Sequence, residues 1–116
     1  MEIDRGDLTS TRITKETLLI IVRRTYTPKP GGGGLLQNLR ELQSATVEAG
    51  FPPLSVYRKV LGLHGTMITV QRWDSIAAYD ASRNEVRATR SITEIFERIY
   101  PALASTHETE IYEEIV

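Results

Sequence analysis

The sequence predicts an α+β domain whose elements run β-α-β-β-α-β. Three observations carry this prediction. Short β-branched stretches alternate or run continuously apolar, longer stretches repeat apolar residues at helical spacing, and Gly- or Pro-rich breaks separate the two kinds. At 116 residues the chain fits one domain comfortably and two poorly.

Taken in order, residues 1–16 are polar, with Ile3, Leu8 and Ile13 too scattered to form a stripe, and read as a loosely docked arm before a domain over 17–116. Residues 17–26 (TLLIIVRRTY) read as the first strand, apolar on both faces at its centre. Thr27-Pro-Lys-Pro-Gly-Gly-Gly-Gly stops it, because two prolines and four glycines cannot continue a ladder. Over 34–48, Leu35, Leu36, Leu39, Leu42 and Thr46 recur at helical spacing, and Gly50 and Pro52-Pro53 close that helix. Residues 55–61 and 66–73 read as two strands joined around Gly62-Leu-His-Gly65, a hairpin. Asp74 or Ser75 caps a helix carrying Ile76, Ala77, Tyr79 and Ala81, with a break near 87–90. Ser91-Ile-Thr-Glu94 has the capping-box pattern, and Ile92, Ile95, Phe96 and Ile99 form a stripe that Pro101 ends. Residues 107–116 close the chain as a strand. This element order is the ferredoxin-like arrangement.

Composition narrows the function classes. Fourteen Lys and Arg against fifteen Asp and Glu leave a net charge of −1, with no basic excess to neutralise a run of phosphates, so no nucleic-acid partner is expected. The absence of cysteine removes thiol nucleophiles, thiolate metal sites and disulfides together, and fits a reducing compartment. The longest apolar run, 18–22, is too short to span a bilayer, and the polar, acidic start is unlike a secretory signal. The expectation is a cytoplasmic protein without a membrane partner.

Strand alternation assigns side chains to faces. Leu18, Ile20 and Val22, Val56 and Val60, Ile68 and Val70, and Ile111 and Ile115 are expected to meet the helices. The other face then carries Leu19, Ile21 and Arg23, Tyr57, Lys59 and Leu61, Met67, Thr69, Gln71 and Trp73, and Glu110 and Tyr112. That face is too aromatic for bare solvent and too polar for a closed core. A second copy packed against it would form a dimeric α+β barrel, either around a lined cavity or as a filled interface.

The stretch Val70-Gln-Arg-Trp-Asp-Ser-Ile-Ala-Ala-Tyr-Asp resembles the third-strand-to-helix junction of the dimeric α+β barrel superfamily. It is especially similar to the antibiotic-biosynthesis monooxygenases, cofactor-free enzymes that oxidise anthrone-type polyketides, and more distantly to polyketide cyclases. Arg24-Thr-Tyr-Thr-Pro-Lys-Pro-Gly resembles the first strand and turn of NIPSNAP-type barrels. The resemblance implies that Trp73 matches a pocket tryptophan and Tyr79 a helix tyrosine. Thr69 stands where the quinone-forming enzymes have asparagine, which shifts the expectation from oxygenation toward cyclisation or plain binding. Arg83 and Asn84 stand where haem-degrading relatives carry histidine, so no haem ligand is expected.

Two readings stay open for each candidate residue. Trp73 is a flat apolar plate with one N–H donor, suited to stacking on an aromatic substrate, or it fills the dimer contact. Tyr79 orients or protonates a phenolate, or sits on the helix's buried stripe. Arg23, Arg58 and Arg72 are candidate anion stabilisers, or cover sheet edges. Tyr57, Met67, Thr69 and Gln71 are expected to line the pocket, with His64 in the turn at its mouth. His107-x-x-Glu110 on a strand points its ends to opposite faces, so no metal site is expected there. Gly31–Gly34 is followed by Leu35-Leu36 rather than Gly-Lys-Ser/Thr, which excludes a P-loop and leaves a lip at the barrel mouth or a loose turn. Glu108, Glu110, Glu113 and Glu114 read as an acidic edge opposing strand-to-strand aggregation. With no nicotinamide fingerprint, histidine pair or P-loop, no cofactor is expected. The sequence therefore supports two functions. One is a cofactor-independent enzyme of aromatic polyketide-type metabolism, a cyclase or monooxygenase, taking a small aromatic ligand inside a homodimer. The other is a non-catalytic NIPSNAP-like ligand-binding or interaction module.

Overall fold

The structure, a computed structural model, describes residues 18–115. The expected N-terminal arm lies outside the described residues. Strand β1 (Ile20–Tyr26) is followed by α1 (Leu35–Glu48), the hairpin β2 (Leu54–Arg58) and β3 (Met67–Trp73), then α2 (Ile76–Ala88) and α3 (Arg90–Ile99). A single 3-10 turn, Tyr100–Ala102, leads into β4 (Glu108–Glu113). The four strands form one antiparallel sheet in the order β2-β3-β1-β4, the ferredoxin-like order, with the helices on one face.

Local chemistry explains the boundaries. Gly34 opens α1 at φ 82°, a left-handed conformation that a side chain resists, and the backbone of Gly50 at φ 86° donates to the Val47 carbonyl to close it. Of the two caps proposed for α2, Ser75 is used: its hydroxyl accepts from the Ala78 N–H at 3.0 Å. The capping box at Ser91–Glu94 does not form. Thr89 precedes α3 in extended conformation, Ser91 lies inside the helix, and Glu94 instead pairs with Arg90 one turn earlier at 2.8 Å. The glycine run is tied down: the Lys29 N–H donates to the Ala102 carbonyl at 2.9 Å, and Gly32 sits where an added Cβ would collide with that carbonyl.

The core forms between the sheet and the helices. A main cluster gathers Tyr26, Leu35, Leu39, Leu42, Leu54, Met67, Ile92, Ile95, Ile99 and Leu103, and a second gathers Ile20, Val22, Trp73 and Tyr79. Here one expectation is corrected. β1 pairs Ile20 with Trp73, Val22 with Gln71, Arg24 with Thr69 and Tyr26 with Met67, so all eight share the helix-covered face. Met67, Thr69, Gln71 and Trp73 are buried beneath the helices, and Ile68 and Val70 face the other way. The expected hairpin strands are also too long. β2 ends at Arg58, leaving Val60 98% and Leu61 92% exposed in the turn rather than in a sheet face.

Candidate functional site

Helix α2 buries only Tyr79 and Ser82 and leaves Ile76, Arg83 and Val86 half-buried, so it stands off the sheet. The space beneath it is a cavity of about 640 Å³, within the range of small-molecule sites. Its walls come from all four strands, the segment before β2 and the three helices: Leu42, Phe51, Leu54, Val86, Ile92 and Phe96 supply apolar surface. The polar groups are Arg24, Tyr26, Gln71, Tyr79, Arg83, Tyr100 and His107, with Thr46, Arg87, Thr93, Glu97 and Thr109 completing the lining.

Tyr79 is the best-held of these. The Arg24 guanidinium donates to its hydroxyl at 3.0 Å, and the Arg83 guanidinium carbon lies 4.3 Å from its ring centroid, a cation–π contact. Trp73 packs edge-on against the same ring at 5.7 Å. Arg24 reaches Tyr79 because β1 alternation carries Ile20 and Val22 on to Arg24 and Tyr26 on one face. Arg83 follows Tyr79 by four residues, one helical turn.

Another part of the lining is an aromatic stack. His107 lies parallel to Tyr100, with centroids 5.6 Å apart and planes 9° apart, and 5.3 Å from Tyr26. Phe96 stacks on Tyr100 at 5.5 Å. Burial, and then the nearby Arg24 charge, push the His107 imidazole below its usual range, so the ring is neutral near pH 7. Its Nδ1 is buried without a hydrogen-bond partner among the described residues, as is Arg83 Nε. Burial raises the Tyr26 and Tyr100 phenols above their ordinary value, with Arg24 opposing the shift in both cases. The cavity can therefore hold an aromatic ring, offer phenolic donors and a neutral imidazole, and present guanidinium charge.

The residues singled out in the sequence divide between two faces. Tyr79 and Gln71 line the cavity. Trp73 does not; its indole N–H donates to Gln71 Oε1 at 3.0 Å, and Gln71 Nε2 donates to the Pro52 carbonyl at 2.8 Å. Thr69 is buried behind Tyr26. Met67 and Arg58 lie with Leu36, Arg40, Gln43 and Val56 around a separate depression of about 260 Å³. Arg23, on the uncovered sheet face, pairs with Glu110 at 3.3 Å, and Arg72 pairs with Glu114 at 3.2 Å. Tyr57 is 53% exposed on the uncovered face, and His64 is exposed in the hairpin turn. Sequence reasoning did not select Arg24, Tyr26, Arg83, Tyr100 or His107 for this cavity. Among the described residues, no three His, Asp or Glu side chains gather as a metal site would require, and no helix is long and apolar enough to cross a membrane.

No protein-family model matches the chain, and no curated protein matches it. Solved structures do. A NIPSNAP family protein with unknown function from Agrobacterium tumefaciens superposes with a TM-score of 0.66 at 16% identity, over 84% of this chain and 89% of that one. An uncharacterized NIPSNAP-like domain protein from Burkholderia xenovorans matches with a TM-score of 0.66 at 13% identity, over 85% and 87% of the two chains. An antibiotic biosynthesis monooxygenase matches with a TM-score of 0.67 at 17% identity, over 84% of this chain and 99% of that one. At such identities the likeness is one of fold, and the fold is the one the sequence resemblance implies.

Proposed function

We propose that this chain is a small-molecule enzyme that binds a planar, enolisable aromatic compound beneath α2 and moves a proton on it with its own side chains. One observation carries the reading: a neutral imidazole and three tyrosines open onto a single cavity together with six apolar side chains. The ligand's ring would lie along the Tyr100–His107 stack. His107 would take a proton from an acidic ring C–H; that bond breaks, and its electron pair moves onto the conjugated carbonyl oxygen. Tyr79 would donate a hydrogen bond to the resulting oxyanion, its own oxygen held by Arg24. Return of the proton, ring closure or attack on an external electrophile all start from that enolate. The resemblance of the Val70–Asp80 stretch to antibiotic-biosynthesis monooxygenases supports an aromatic substrate, and a solved structure of that name shares the fold.

The test uses 1,8-dihydroxyanthrone under argon in deuterated buffer, with exchange at its ring methylene followed by NMR. The protein is expected to accelerate exchange over buffer, and His107→Gln to remove roughly 100-fold of that acceleration, the lower range for a general base. Binding without accelerated exchange would refute catalysis and leave the second reading, a non-catalytic ligand-binding module. That reading is favoured by the likeness to NIPSNAP proteins.

The uncovered sheet face has an assembly role in the same proposal. Ile21, Ile68 and Val70 form its half-buried centre, with Tyr57 and Tyr112 beside them, and a second copy packed there would cover them all.

A further inference from the structure

Among the described residues, the charged lining of the cavity is Arg24, Arg83 and Arg87 against the one carboxylate of Glu97. Four surface arginines each have a carboxylate partner: Arg23 with Glu110, Arg72 with Glu114, Arg90 with Glu94, and Arg98 with Glu41. Among the described residues, Arg24 and Arg83 form no ion pair, although both are half-buried, where an unbalanced charge costs most. Both converge on one phenol, Arg24 at the Tyr79 hydroxyl and Arg83 over its ring.

We propose that Arg24 and Arg83 form a clamp for a carboxylate, and that the ligand class of this site is the aromatic carboxylates. The proposal rests on the reading of the cavity as a small-molecule site. Three observations support it. Arg83 Nε is a buried donor without a partner among the described residues, which a carboxylate oxygen would satisfy. The two guanidiniums oppose each other's charge, and an anion between them reverses that repulsion into attraction. A guanidinium presents parallel N–H donors that match the two oxygens of a carboxylate, whereas a neutral phenol offers it one acceptor. The aromatic half of the ligand follows from the same lining, where Phe96, Tyr100 and His107 present stacked flat surfaces. Tyr79, whose oxygen accepts from Arg24, keeps its own proton to donate to the same anion or to a ring oxygen beside it.

The test compares 1-hydroxy-2-naphthoate with 1-naphthol by calorimetry at pH 7.5, on the full chain. The carboxylate is expected to bind at least tenfold tighter, the scale of one charge-assisted hydrogen bond. Arg83→Gln, on the outer helix, is expected to lose about tenfold more affinity for the carboxylate than for naphthol. Arg24→Lys keeps the charge on the central strand while removing the planar fork, so it is expected to weaken the carboxylate selectively even if Arg24→Gln fails to fold. Equal affinity for the two ligands, or variants that weaken both alike, would overturn the clamp and leave the small-molecule site standing. Failure of both ligands to bind a folded protein would overturn the clamp together with the reading of the cavity on which it rests.

Discussion

Replacing Gln71 by Leu tests whether Trp73 is a structural residue rather than a ligand-stacking plate. Gln71 is 6% and Trp73 7% exposed, and the glutamine amide links the indole by hydrogen bonds to the Pro52 carbonyl before β2. Leucine fills similar volume but leaves the Trp73 N–H and the Pro52 carbonyl without partners. Two lost bonds at about 1 kcal/mol each, plus desolvation of the buried indole N–H, total about 2–4 kcal/mol. For a domain of this size that corresponds to a fall in Tm of roughly 10–20 °C. Denaturant unfolding followed by far-UV circular dichroism, a signal that survives loss of the single tryptophan, reads the loss directly. The cycle with Trp73→Phe separates orphaned polarity from lost packing. In the double variant the indole N–H is gone, so the two losses should sum to at least 0.5 kcal/mol less than their separate values, the scale of coupled neighbours. A loss under about 1 kcal/mol for Gln71→Leu, or strict additivity, would refute the structural assignment of Trp73.

Two further outcomes follow. Because the folded state holds the His107 imidazole below its free value of 6.5, the unfolded chain takes up this proton first as pH falls, so stability declines as pH drops through and below 6.5; His107→Phe should show a shallower decline than wild type between pH 7.5 and 5.5 in urea titrations, and identical slopes would refute the burial of a neutral ring. Sedimentation should give twice the chain mass of 13.1 kDa for wild type and the single mass for Val70→Asp, which buries a charge at the centre of the uncovered face; a wild-type monomer at micromolar concentration would refute the sheet-face dimer.

Much of the fold was readable from the sequence because local and tertiary signals agree. The Leu35, Leu39, Leu42 stripe, the Ser75 cap and the hairpin glycines each act within a few residues, and the structure uses all of them. The phase of β3 was not readable in the same way. In MITVQRW the aliphatic pair Ile68 and Val70 outranks Thr69 and Gln71 for burial on hydrophobicity, yet the structure buries the latter. What makes that tolerable is a carbonyl 19 residues back in the chain, which no local pattern reveals. The uncovered face remains apolar too, so periodicity alone did not distinguish a face covered by helices from one left open. Arg24 and Tyr26 did carry a signal, since they continue the alternation of Ile20 and Val22 that was read correctly, and Arg83 lies one turn beyond Tyr79. His107 carried none, because it precedes β4 and is held at the cavity by packing among Tyr26, Phe96 and Tyr100, contacts that no local pattern reveals.

The one-residue shift in β3 relocates the chemistry as well as the core. With Met67, Thr69, Gln71 and Trp73 on the uncovered face, any ligand site would have been built from two subunits. With them beneath the helices, every group of the proposed site belongs to one chain: Arg24 from β1, Tyr79 and Arg83 from α2, and Tyr100 and His107 from the segment leading to β4. The uncovered face then holds Ile21, Ile68 and Val70, with Arg23 and Arg72 already paired to carboxylates of their own chain. Nothing charged on it calls for a small ligand, whereas its apolar centre gains from a partner of the same kind. In this proposal ligand binding and assembly fall on opposite faces of one sheet, whose strands present alternate residues to each. A Val70→Asp monomer should therefore retain affinity for 1-hydroxy-2-naphthoate within a few-fold of wild type, measured by the same calorimetry; a monomer that folds but no longer binds would show that the cavity is completed by the second copy.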